Sequence, residues 1–236
     1  MMRLIVPLQI RAGMALPVAG LALAAWTLFD PVATSAATKC PIDGRAVHVT
    51  LDVISSDTVW RTSHGRSDLK RLARKVISPR ASQGHPLGLT VSEFNQLMNI
   101  EVALTAVGRN RFCAVPTRVK ARIGYPEFAT YIDHRYKAGT CQYRQIKIHE
   151  LRHVDIYRRH LRHFAPLVRS RLKEAAARIK PVFVKNPAAA SGLVLKRLSA
   201  RIKPIVDQLN RATSTDHGRI DSPDSYAGIQ KRCRSW

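Results

Sequence analysis

From Cys141 to Lys180, apolar side chains return mostly in steps of three and four: Ile146, Leu151, Val154, Tyr157, Leu161, Phe164, Val168, Leu172, Ala175 and Ile179. That spacing places them on one face of an α-helix. Thr140, just after Gly139, is the predicted N-cap. The stripe persists through Pro166, so one helix is expected over 141–180, kinked or loosened at the proline. Pro181 and Asn186-Pro187 mark a turn. A second stripe follows at Leu195, Leu198, Ile202, Ile205, Val206 and Leu209, with Pro204 inside it. Two long helices joined by a short connection lie antiparallel and bury their stripes against each other. The rest of the chain has to be built around that hairpin.

Upstream, the pattern changes to alternation. Residues 46–54 (AVHVTLDVI), 100–107 (IEVALTAV) and 117–123 (TRVKARI) read as strands. Gly108-Arg-Asn110 is a turn signal between the last two, and Gly124-Tyr-Pro126 ends the third. Residues 67–77 predict a short basic helix, and 78–90, with Pro79, Gly84, Pro86 and Gly88, a loop. The expected class is α+β, a small antiparallel or mixed sheet followed by the hairpin. The strand-rich part is 38–140, the hairpin 141–213 and a C-terminal loop segment 214–236, forming one domain over 38–236.

Residues 1–37 have the order of a secretory signal. Arg3 and Arg11 precede an apolar stretch from Gly13 to Phe29, and Ala33-Thr-Ser-Ala36-Ala37 supplies small residues for cleavage. A periplasmic or secreted protein is the expectation. In that setting four cysteines most simply form two disulfides. Of the three possible pairings, Cys113 with Cys141 and Cys40 with Cys233 is favoured, the second tying the chain ends together. With no Cys-x-x-Cys pair, a cysteine zinc site is disfavoured.

The charge is lopsided: 39 Lys and Arg against 16 Asp and Glu, a net +23. Such a surface attracts polyanions, including an anionic cell-envelope surface. Arg158, Arg159, Arg162, Arg169, Arg171, Lys173 and Arg178 run along the predicted long helix. Export and the lack of an aromatic-rich recognition motif argue against specific nucleic-acid binding.

Near the start of that helix stands His149-Glu150-Leu-Arg-His153, an H-E-x-x-H motif. Residues i and i+4 share a helix face, so two imidazoles can reach one Zn2+ at about 2.0–2.1 Å. Glu150 between them is placed to take a proton from a zinc-activated water. A third ligand is needed. His160 lies seven residues beyond His153, about 10 Å too far along the axis. Gly and His of the adamalysin-type continuation are replaced by Ile156 and Arg159. Glu174 has a thermolysin-like separation but sits about 30 Å away on a continuous helix. Reflecting His149 and His153 through a hairpin turn near 184 lands on 215–219, which contains Asp216 and His217. His217 is the expected third ligand, with Asp216 and Glu174 as alternatives. Asp155 and Asp221 are candidates to orient a histidine, and Tyr226 and Tyr157 to stabilise an oxyanion.

These residues resemble the bacterial predicted secreted zinc-dependent proteases. The resemblance covers about residues 85–220. It rests on Phe112-Cys113-Ala-Val115, on Ile123-Gly-Tyr-Pro126-Glu-Phe, on Cys141, on His149-Glu150-x-x-His153, and on Thr215-x-His217-Gly218. Arg152 replaces the usual glycine, and Ala212 stands where an aspartate is expected. The resemblance implies a zincin-like fold and hydrolysis of peptide or protein substrates outside the cytoplasm. The alternatives are a zinc hydrolase of cell-wall cross-links and a non-catalytic basic module that binds a polyanion.

Overall fold

The computed structural model describes residues 40–41, 46–76 and 86–236. The signal sequence expected at 1–37, and residues 78–85 of the expected loop, lie outside the described residues.

The protein is α+β. Strand β5 (Arg111–Tyr125) is its spine. Strand β4 (Asn95–Gly108) pairs antiparallel along almost its whole length, after a turn in which Asn110 takes φ 53°. On its other side β5 carries β1 (His48–Ser55) in parallel, from Arg118 to Tyr125, and β7 (Val182–Val184) antiparallel at Phe112–Ala114. Side chains of β5 alternate: Val119, Ala121 and Ile123 are buried, while Arg118, Lys120 and Arg122 are exposed.

A second group of strands continues the first beyond a shared break. Strand β6 (Phe128–Ile132) lies between β2 (Thr58–Arg61), parallel to it, and β3 (Gly88–Val91), antiparallel to it. β1 runs on into β2, β5 into β6 and β3 into β4, each after a gap of a few residues. Pro126, lacking an N–H, sits in the β5–β6 gap. Just before it Gly124 takes φ +134°, and a Cβ there would collide with the Ile54 carbonyl oxygen. Helix α1 (Arg66–Val76) covers the second group, burying Leu69 and Ala73 against Leu89, Ala129 and Tyr131.

Helix α2 (Cys141–Ala177) begins as predicted, with the Thr140 hydroxyl accepting from the Tyr143 N–H, and runs unbroken through Pro166. Helix α3 (Ala190–Ile220) likewise continues through Pro204. Both proline positions are carried by packing, because the stripes close one core with the sheet: Val154, Leu161, Val168 and Leu172 of α2 meet Val194, Leu198 and Ile202 of α3.

Several expectations are corrected. Residues 88–90 belong to strand β3, not to a loop. Val182-Phe-Val184 in the expected turn pairs with β5. The segment 214–236 is mostly helical: α3 passes Gly218, whose φ is not positive, and α4 (Pro223–Gln230) follows, capped by Ser222. One helical glycine costs only about 1 kcal/mol, which packing of α3 outweighs. The disulfides are Cys40–Cys113 and Cys141–Cys233, not Cys113–Cys141 and Cys40–Cys233. Cys113 lies at the start of the central strand, whereas Cys141 opens α2, after the chain has run the length of β5 and β6. The chain terminus reaches Cys141 instead, and Gln142 Nε2 donates to the Ser235 carbonyl at 2.6 Å.

The basic run on α2 is partly structural. Arg158 donates to the Ser56 carbonyl and lies over the Phe128 ring, Arg169 donates to the Leu51 carbonyl, and Arg159 pairs with Asp216.

The link from β6 to α2 turns on Asp133, whose side chain is fully buried. It accepts from the Arg135 backbone N–H, Nε and Nη2. Burial alone would raise its pKa, but the Arg135 bonds and charge outweigh this and hold it below its ordinary 3.8. A depressed carboxylate stabilises the fold above its unfolded pKa and loses that contribution as pH falls through the folded value. Asp133→Asn is expected to cost about 1–2 kcal/mol at neutral pH, since Arg135 is half exposed. Urea midpoints should show the gap between the two proteins closing below pH 3.8. An equal gap at every pH would contradict this assignment.

Candidate metal centre

α2 presents His149, Glu150 and His153 to the interior, all three buried. Antiparallel packing brings the last turn of α3 and its C-cap, Asp221, beside them. His149 Nε2 lies 3.2 Å from His153 Nε2. Asp221 Oδ1 lies 3.2 Å from the first and 3.1 Å from the second. Three donor atoms thus form a nearly equilateral triangle. The edge of a tetrahedron built on bonds of about 2.0–2.1 Å is roughly 3.3–3.4 Å, so this triangle matches one face of it. Two imidazole nitrogens and a carboxylate oxygen are also the donor set expected for a first-row divalent ion. The group fits a metal.

His217 is at the site but not on the triangle. Its Nδ1 lies 2.7 Å from His153 Nδ1, on the far edge of that ring. Burial, and next the His153 charge, lower the His217 pKa to about 4. A neutral His217 can accept a hydrogen bond from His153 Nδ1–H, and in that neutral tautomer of His153 the Nε2 lone pair is free for an ion. The expected third ligand, His217, thus lies against His153, and the carboxylate that completes the triangle with His149 and His153 is Asp221. The reason is one helical turn: Asp221 follows His217 by four residues and shares its face.

Asp221 keeps 39% of its side chain exposed. Burial works to raise its pKa, but hydrogen bonds from His149 and His153 outweigh it and pull the carboxyl far below its usual range. For His153 burial works to lower the pKa, and the Asp221 bond with the Glu150 and Asp221 charges reverses it.

Glu150 is held from the sheet. Thr90 on β3 donates its hydroxyl to Oε2 at 2.8 Å. Burial raises the Glu150 pKa, against the nearby histidine charges. Gly88, two residues before Thr90, gives the carboxylate its space: a Cβ there would stand 2.6 Å from Oε1. Tyr226 on α4 points its hydroxyl at Asp221 Oδ1, at 3.3 Å, and its ring lies 5.1 Å from that of His149. Tyr157 instead packs on His217 and Tyr125. Gly88, Ile146, His149, Glu150, Tyr226 and Ile229 line a small cavity of about 10 Å³, room for one water molecule.

The other candidates lie elsewhere. Asp216 pairs with Arg159, His160 and Arg219. Glu174 pairs with Arg171 and Arg178. Asp155 is exposed. Thr90 and Gly88 were missed because their segment reads as a loop.

Comparison with family models, with characterised proteins and with solved structures finds no match to this chain.

Proposed function

We propose that this protein is an exported, zinc-dependent hydrolase of peptide bonds with a zincin-like arrangement. The observation that carries the reading is the triangle of His149 Nε2, His153 Nε2 and Asp221 Oδ1 beside a buried glutamate. The two disulfides fit an oxidising compartment, and among the described residues no helix is long and apolar enough to cross a membrane. The N-terminal pattern of residues 1–37 adds export to the periplasm or beyond.

His149, His153 and Asp221 would hold the ion, which when bound supplies Lewis acidity toward a carbonyl and an attacking water. Glu150 does the proton work. Thr90 fixes Oε2, so Oε1 takes the proton from the water and returns it to the leaving amine. His217 keeps the His153 ring in one tautomer. The Tyr226 hydroxyl, which donates to Asp221 Oδ1 at the triangle, would supply a hydrogen bond to a developing oxyanion.

Elemental analysis of the purified protein tests the site. One zinc per chain is expected, lost in His149→Ala and in Asp221→Ala. His217→Ala should keep the metal with roughly 10–100-fold weaker affinity. Cleavage of an unfolded protein such as casein should stop with a chelator and return with zinc. Full metal content in Asp221→Ala, or chelator-insensitive cleavage, would remove the proposal.

A further inference from the structure

We propose a second binding site, at the closed end of the α2–α3 hairpin, for a multiply charged oxyanion of the phosphate type. The cleft there has about 760 Å³, within the range of small-molecule sites, and contrasts with the single-water cavity at the metal triangle. Arg171, Arg178, Lys180, Arg197 and Arg201 line it, with Glu174 as the one carboxylate. Five cations around one anion repel each other, and a bound anion relieves that repulsion.

The cations are arranged unequally. Arg171 and Arg178 share Glu174, at 3.7 Å and 2.9 Å. Arg197 is anchored by donating to the Lys180 carbonyl at 3.1 Å, which leaves its other N–H groups free. Arg201 and the Lys180 ammonium have no carboxylate partner among the described residues. Guanidinium forks match the paired oxygens of a phosphate group, and several at one cleft demand more than one negative charge. The floor is apolar, with Ile179 and the buried Leu198, so the ligand can carry a hydrocarbon part. No aromatic side chain lines the cleft, which removes the stacking platform of a single-stranded nucleic acid. Glu174 follows His153 by 21 residues on one unbroken helix, so the two sites lie about 30 Å apart.

Titration calorimetry with inorganic tripolyphosphate on the full disulfide-bonded protein tests the site. Because the whole surface is basic, a charge-matched control is needed. Arg171→Gln with Arg201→Gln removes two cleft cations. Arg74→Gln with Lys75→Gln removes two exposed cations of α1. Saturable binding of one tripolyphosphate per chain is expected, weakened at least about tenfold by the cleft pair and less than about twofold by the control. Equal losses in both variants, or no saturable binding, would overturn the proposal. Sedimentation with vesicles containing phosphatidylglycerol separates the sources of the phosphate. Cleft-dependent sedimentation assigns the site to a lipid headgroup, and tripolyphosphate binding alone assigns it to a soluble phosphate.

Discussion

Glu150→Gln should leave zinc bound at one per chain and lower the rate of peptide hydrolysis by about 10²–10⁴-fold, the range a positioned general base supplies. The substitution changes little else. The amide has the shape of the carboxyl, so the space left by Gly88 stays filled. The amide oxygen can still accept from Thr90, so the hydrogen bond from β3 survives. Glu150 does not belong to the ligand triangle, and its loss as an anion takes no donor from the ion. What disappears is the ability to accept a proton at Oε1. The loss should therefore fall on kcat, with KM nearly unchanged. Parallel elemental analysis and casein-cleavage kinetics would check it. A kcat within about tenfold of the wild type, with zinc retained, would mean that some other group handles the proton.

The hairpin and its motif were legible because both are written in a period. The 3.6-residue stripe of α2 predicts a helix at 141–180, against Cys141–Ala177 observed. The i, i+4 spacing also places His149 and His153 on one face, which the structure buries together with Glu150, whereas Leu151, counted in the stripe, is exposed. Reflection through the turn locates the partner segment correctly, since His217 does reach His153. It misses Asp221 because a reflection resolves a site only to about one helical turn. Within that turn, the choice of ligand depends on how α3 is rotated about its axis, and tertiary packing sets that rotation. The contribution of β3 was illegible for another reason. Gly88 reads as a breaker, yet it lies in a strand, where the absence of a side chain makes room for Glu150. The disulfide pairing was illegible because cysteine spacing does not encode which ends of the fold meet.

Replacing Cys141 and Cys233 together by Ser should destabilise the protein by about 3–5 kcal/mol and release the C-terminal segment from the candidate metal centre. The bond closes a sequence separation of 92 residues, so its removal restores much freedom to the unfolded chain. In the folded protein the effect is local. Helix α4 is eight residues long and buries only Ile229, too little to hold itself in place. Its remaining ties are a few polar contacts: Tyr226 to Asp221, Arg232 to Gln145, and Gln142 to the Ser235 carbonyl. Without the covalent clamp, amide exchange over 222–236 should quicken while the core of α2 stays protected. Tyr226 and Ile229 would then no longer close the one-water cavity beside Glu150. Asp221 caps α3, upstream of the freed segment, and should keep the metal. The Cys40–Cys113 pair supplies the control, since its removal also lengthens the free chain but leaves α4 tethered. Unchanged exchange over 222–236 in the Cys141/Cys233 variant would show that packing alone holds α4 over the site.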